Sequence, residues 1–541
     1  MRRSGRPARG ADRTNWWLAC LGLVAVLLIP LLVTEIPPLL DYPNHLARME
    51  ILAHRATDPA LSRIYRVNWR ILPNIGIDLA LPPLLRLVPL AVAGKVFVAL
   101  ALVLPLAGVA ALHRAIFRYR SYWPLAAGLV VYNRLFFAGF LNFLIGIGLA
   151  LLAASLWRFL GDRKPLLRIL TATIASVVIF FCHLIALAFY ALLLIGLELA
   201  RSWETRSASP VRFALLAIPF AVPVALYLIA PIAGIAPAGG HGFIDAVRHY
   251  YWALAASPRG LRFYGLAGPF LTYDRRLDFA AIALAIGLLL AFAATRRLRV
   301  APAVAGPFCL LLAAYPFVPF FLMETAWVNQ RLPIMAGFLL FAGTQPIVGS
   351  PRTAKLMAAA LTVAILGRTA EIANVWAGHD AEVADFRQTV SPVAPTDRVL
   401  VVQAERNADP NAMVNNPDSV RAMRDNDSTA HLPGLLVIER KAFWPLLFTA
   451  PAKQPVEVLP PYDTISLPEG ELPWIGALAH PGAEDLKWAP YLPDWEDKFD
   501  WVLVLRPADA ANGYSLLPDR LEPVAAGKIA ALYRVLRPPL H

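Results

Sequence analysis

The chain has 541 residues, of which 58% are hydrophobic and only 16% charged, and its mean hydropathy is +0.55. Soluble chains carry about 25% charged and about 45–50% apolar residues, so one water-soluble core is excluded and a polytopic membrane protein is indicated. The net charge of +13 sits mostly in short Arg and Lys clusters between apolar runs. That is the positive-inside pattern: it reads as topology and contact with membrane lipids, and no nucleic-acid partner is expected.

The basic N-terminus, Met1-Arg2-Arg3-Ser4-Gly5-Arg6, leads into an apolar run at 16–33 with no small-residue cleavage site after it. A retained anchor with its basic end in the cytoplasm is expected. Pro37 and Pro38 end that helix, and Asp41-Tyr42-Pro43-Asn44 opens another whose first turn carries His45 and Arg48. Three residues apart, His45 and Arg48 share a helix face. An acid, an imidazole and a guanidinium are thus gathered where the chain leaves lipid, in a first outer loop spanning 34–74.

Arg66 and Arg70 follow in that loop. Residues 75–92, broken by Pro82-Pro83 and carrying Asp78 and Arg86, suggest an interfacial or re-entrant helix. The next crossing is 95–112. Residues 123–131 and 136–156 are expected as a hairpin with Asn133 and Arg134 at its outer tip. A second hairpin, 167–181 and 184–199, turns at Cys182-His183. Crossings at 213–232, 279–294, 302–322, 332–347 and 356–372 complete about eleven spans, with Glu324 and Arg331 in an outer turn. Basic outer residues such as Arg66, Arg134 and Arg331 are exceptions to the charge rule.

From Trp376 the composition changes to prolines, acids and short β-like runs, so 1–375 and 376–541 are expected as membrane and extracytoplasmic α/β domains. Strands are expected at Val399–Gln403, 435–438, Trp501–Leu505 and Ala530–Val535, with a polar loop at 407–429. The three cysteines, Cys20, Cys182 and Cys309, lie in apolar runs and imply no disulfide framework. No phosphate-binding glycine loop, nucleophile elbow or zinc helix occurs, so any reaction should use a substrate already activated. His241, Asp245 and His249 are a weak metal cluster in a Gly-rich loop, and no metal site is assigned to them.

Polar residues recur at the outer ends of spans: Asp41, His45, Asn133, Arg134, Asn142, His183, Glu324 and Arg331. Each alone fits a snorkelling or packing role; their concentration on one face points to a site. The stretch Asp41–Arg48, acidic-x-Pro-x-His-x-x-Arg, together with the anchor, the proline-broken segment, the span number and the outer tail, resembles the C-type (GT-C) membrane glycosyltransferases. The resemblance implies a bacterial inner-membrane enzyme with a cytoplasmic N-terminus and a periplasmic C-terminal domain. It would transfer a sugar from a polyprenyl-phosphate carrier to an envelope glycan, lipid or protein acceptor. Asp41 would be the base and His45 would orient it or contact the sugar. Arg48, Arg66, Arg70, Asn133, Arg134, Asn142, His183, Glu324 and Arg331 would bind substrate. Tyr42 stands where the commoner motif has a second acid, which leaves Glu35 and Glu324 as candidates for that role. No bound cofactor is required, although Asp41 leaves open a divalent cation. The rival readings are a transporter or flippase of a lipid-linked glycan and an envelope-assembly scaffold.

Overall fold

The computed structural model describes residues 12–207, 209–231, 248, 265–320, 322, 325–404, 429–468, 470–507 and 517–537. Among these, eight helices are long and apolar enough to cross a membrane: Arg13–Leu32, Leu90–Phe117, Leu141–Leu160, Pro165–Cys182, Leu184–Thr205, Pro210–Ile229, Arg275–Ala294 and Pro351–Thr389. Leu32, Phe159, Leu166 and Leu228 are at least 70% exposed on these helices. Apolar side chains displayed outward on spans of this length belong against lipid, so the protein is a multi-pass membrane protein.

Several expected crossings change on folding. Residues 123–131 do not cross: they form a 3₁₀ turn, Trp123–Ala127, and one α turn, Gly128–Val131. Nine residues at about 1.5 Å each are too few for a ~30 Å core. The crossing expected at 302–322 contracts to Pro302–Ala314, and that at 332–347 becomes Val328–Gly343. Residues 356–372 are the centre of a 39-residue helix, Pro351–Thr389, which passes without a break through the composition change at Trp376. The proline-broken segment is a short helix, Gly76–Leu84, with Asp78 buried in its first turn.

The tail builds a four-stranded sheet in the order Val399–Gln403, Trp501–Leu505, Ala530–Val535, Leu521–Ala526. The first pair is parallel and the other two antiparallel. The expected strand at 435–438 is instead a turn of π-helix, Leu436–Arg440. A short, wholly apolar run does not distinguish a strand from a buried helical turn, and the Pro433-Gly434 bend favours the latter.

The tail is bound to the first loop. Tyr65–Val67 pairs antiparallel with Val456–Val458, placing Arg66 opposite Glu457. Asp380, on the long helix, accepts from the Thr34 hydroxyl at 2.7 Å and the Glu35 N–H at 2.8 Å. Arg387, two turns further on, forks between Glu35 and Glu439. Residues 34–74 and the tail therefore lie on the same side of the membrane.

Candidate active site at the first loop

Asp41 precedes the helix Tyr42–His54 at its N-cap position, but its carboxylate accepts no hydrogen bond from that helix. Its backbone is held from the other side, where Leu40 and Asp41 donate to the carbonyls of Phe137 and Ala138 at 2.9 and 3.2 Å. The close approach depends on Gly139, whose φ is +85° and where a Cβ would lie 2.8 Å from the Asp41 nitrogen. The chain is thus fixed while the carboxylate is left for other partners.

Behind it runs a chain of buried polar contacts. Asn142 accepts from the Ile77 N–H at 3.0 Å and donates to the Asn74 carbonyl at 2.9 Å, which fixes the start of the Gly76–Leu84 helix. That helix presents Asp78 to Arg48, which donates to Asp78 Oδ2 at 2.9 Å in a two-pronged buried pair. The same Arg48 nitrogen lies 3.3 Å from His45 Nδ1. A guanidinium only donates, so Nδ1 is the acceptor and the neutral ring carries its proton on Nε2. Burial, then the charges of Arg48 and His431, hold the imidazole well below its ordinary pKa of 6.5. His45 is therefore a neutral N–H donor near neutral pH.

The tail supplies the partner that the sequence reading missed. His431 Nδ1 lies 3.2 Å from Asp41 Oδ1, with the two side chains 19% and 15% exposed. The His431 ring stands edge-on to Trp444 and Phe448, at 5.9 and 5.2 Å between centroids. Phe448 also meets the His45 ring edge-on at 5.8 Å. Asn44 clamps this segment, donating to the Leu446 carbonyl at 3.0 Å and accepting from the Phe448 N–H at 2.7 Å. The only local hint was a histidine just before Pro433-Gly434, and nothing in it named Asp41.

Arg331 is 4% exposed. It donates to the Ala326 carbonyl at 2.9 Å and lies over the rings of Phe140 and Phe143 at 4.9 and 5.6 Å. Its Nε is buried without a hydrogen-bond partner, no carboxylate within ion-pair distance is present among the described residues, and its charge interacts with that of Asp41. Arg134 lies over Trp327 at 4.8 Å, and Trp327 meets Phe140 edge-on at 5.9 Å. His183 caps the next span by accepting from the Ile185 N–H at 3.1 Å, with its ring against Phe143 at 5.4 Å. Contacts thus join Asp41, His431, His45 and Arg48 in one group and Arg331, Arg134 and His183 in another, and the charges of Asp41 and Arg331 interact between the two.

Other candidates belong elsewhere. Arg66 and Arg70 both bind Glu457, at 2.6 and 3.0 Å; two cations converging on a nearly buried carboxylate hold loop to tail. Asn133 is fully occupied in its own turn, donating to Val130 and Val131 and accepting from Leu135 and Phe136. It shapes the bend before Gly139 and has no capacity left for a ligand. Glu35, the candidate second acid, pairs with Arg387, whose hydrogen bonds hold its carboxyl below the usual range. Glu324, His241, Asp245, His249 and nearly all of the 407–429 loop lie outside the described residues. Among the described residues no group of three or more His, Cys, Asp or Glu side chains could hold a metal ion.

Fold and site together define a polytopic helical membrane protein with a cationic, aromatic-lined polar site at one membrane face, closed by its own C-terminal segment. No family model matches the chain, and no curated protein matches it. Among solved structures it is similar to the cryo-EM structure of the arabinofuranosyltransferase AftD from mycobacteria, at 15% identity and a TM-score of 0.45. The match covers 98% of this chain and 40% of that one, so this chain spans two-fifths of the length of the structure it matches. A likeness of this degree carries no activity over to the chain.

Proposed function

We propose that the protein is a membrane glycosyltransferase that moves a sugar from a polyprenyl-phosphate donor to an envelope glycan, lipid or protein acceptor. The reaction would take place on the extracytoplasmic side of a bacterial inner membrane, with the N-terminus cytoplasmic and 376–541 periplasmic. The observation that carries this reading is the pairing of a carboxylate with a buried guanidinium whose charge interacts with it. Asp41 is a carboxylate unused by its helix, and Arg331 is a buried guanidinium with no carboxylate in contact among the described residues. A buried cation without a counter-ion is costly, and a phosphate monoester or diester would supply one through charge-assisted hydrogen bonds.

In this reading the acceptor hydroxyl oxygen attacks the anomeric carbon and the bond from that carbon to the phosphate oxygen breaks. The phosphate leaves with the electron pair towards Arg331, with Arg134 beside it, and the hydroxyl proton passes to Asp41. Arg48 keeps His45 in the tautomer whose Nε2–H can donate to a sugar hydroxyl. Asn142 and Asp78 act through Arg48, as positioning residues. A divalent cation at Asp41 would assist the leaving phosphate, but no step above requires one. The test is transfer of labelled sugar from a panel of polyprenyl-phosphate sugars by the purified protein in nanodiscs. Labelled product from at least one donor is expected, and no transfer from any, in protein shown to be folded, would overturn the proposal.

A further inference from the structure

The side chain that meets the Asp41 carboxylate, His431, comes from neither the first loop nor a membrane helix. We infer that His431 is a positioning residue for Asp41: its ring restrains Oδ1 and leaves Oδ2 directed at the incoming group. The site is therefore complete only when the 429–449 segment is seated on the Tyr42–His54 helix.

Three observations carry this. The approach is close, 3.2 Å from Nδ1 to Oδ1, and no hydrogen bond or ion pair to Asp41 Oδ2 occurs among the described residues. Nδ1 is buried and has no hydrogen-bond partner among the described residues. Asp41 Oδ1 lies within hydrogen-bonding distance of it, and contacts of this kind are often misaligned before substrate is present. Second, the ring is a fixed post, because Trp444 and Phe448 confine it. Third, the segment that carries it is pinned independently of His431. Asn44 binds it at two backbone groups, and Lys441 reaches Glu50 at 2.5 Å. Gly434 lies so close to the Pro43 carbonyl that a Cβ would stand 2.7 Å from its oxygen. A segment fastened at three points around one histidine–carboxylate contact fixes the direction of that carboxylate.

His431 adds no interaction to the sugar or phosphate. Its effect is on where Asp41 points, and misdirection of a reacting group by about 1 Å costs on the order of a hundredfold in rate. The inference rests on the transferase reading for its kinetic consequence, but not for its geometry, so the test has one arm for each.

In the first arm the full-length protein in nanodiscs is treated with a water-soluble carbodiimide and an amine, and amide formation at Asp41 is followed by peptide mass spectrometry. His431→Ala should raise labelling of Asp41 several-fold, because the carboxylate is released from its contact. His431→Asn, whose amide nitrogen replaces Nδ1, should restore labelling most of the way to wild type. Asp500, bound to Arg398 in the tail sheet region, should label equally in all three proteins. Equal labelling of Asp41 throughout, or a rise at Asp500 in parallel with Asp41, would overturn the inference, the latter showing general loosening of the tail. In the second arm His431→Ala should lower kcat about a hundredfold with donor KM unchanged, and His431→Asn should recover part of it. Unchanged kcat in His431→Ala would overturn it as well. A wild-type protein that transfers no sugar removes the transferase reading but leaves the labelling arm to decide the placement of Asp41.

Discussion

Replacing Asp41 by Asn separates chemistry from architecture at the centre of the site. The carboxylate accepts no hydrogen bond from the helix it precedes, and Asn serves that position as well as Asp. What the substitution removes from the folded state is one partly exposed contact to His431, on the order of 1 kcal/mol or less. The unfolding temperature should move by no more than about 2 °C. If Asp41 takes the acceptor proton, the rate should fall by about 10²–10⁴, which is about 2.7–5.4 kcal/mol of barrier at 1.36 kcal/mol per decade. The two effects differ by severalfold in energy and are read by different instruments. The assay is single-turnover transfer from labelled polyprenyl-phosphate sugar in nanodiscs, with donor affinity measured in parallel. Near-normal binding with slow transfer is expected. Full turnover by Asp41→Asn would refute the assignment of the base, and a large drop in unfolding temperature would show that the carboxylate has a structural duty.

Arg48→Ala should be the opposite case, leaving Asp78 as a fully buried, unpaired carboxylate; thermal or denaturant unfolding should show a loss of about 3–5 kcal/mol. Arg331→Lys keeps the charge and loses the planar fork, so donor KM should rise roughly tenfold while thermal stability holds. Because His45 is held below its ordinary pKa of 6.5 in the folded state, the unfolded chain binds the proton first as pH falls. Stability should thus decline below about pH 6.5, by up to ~1.4 kcal/mol per pH unit from this group, and unfolding of His45→Asn measured from pH 7.5 to pH 5 should lack that component. A cysteine at exposed Ala483 should react with an impermeant maleimide from the periplasmic side of spheroplasts, and labelling only after lysis would reverse the proposed orientation.

The sequence by itself determined the membrane class, the break at Pro37-Pro38 and the helix that follows. It also located three of the four sheet strands in the tail, Val399–Gln403, Trp501–Leu505 and Ala530–Val535. These features are local: a run's length, its prolines and its periodicity report how that run meets lipid, water or a neighbour. The spacing of His45 and Arg48 belongs with them, since a helix puts residues three apart on one face wherever it lies. Ionic partners are another matter, because charge has no period and a guanidinium reads the same whether it faces a phosphate or a carboxylate. Only closure of the tail onto the first loop showed that Arg66 and Arg70 are held by Glu457, some 390 positions away, and that Arg331 has no such partner among the described residues. The same closure brought His431 to Asp41. Contacts between segments so far apart arise from packing the whole chain, and no short stretch of it carries their signature.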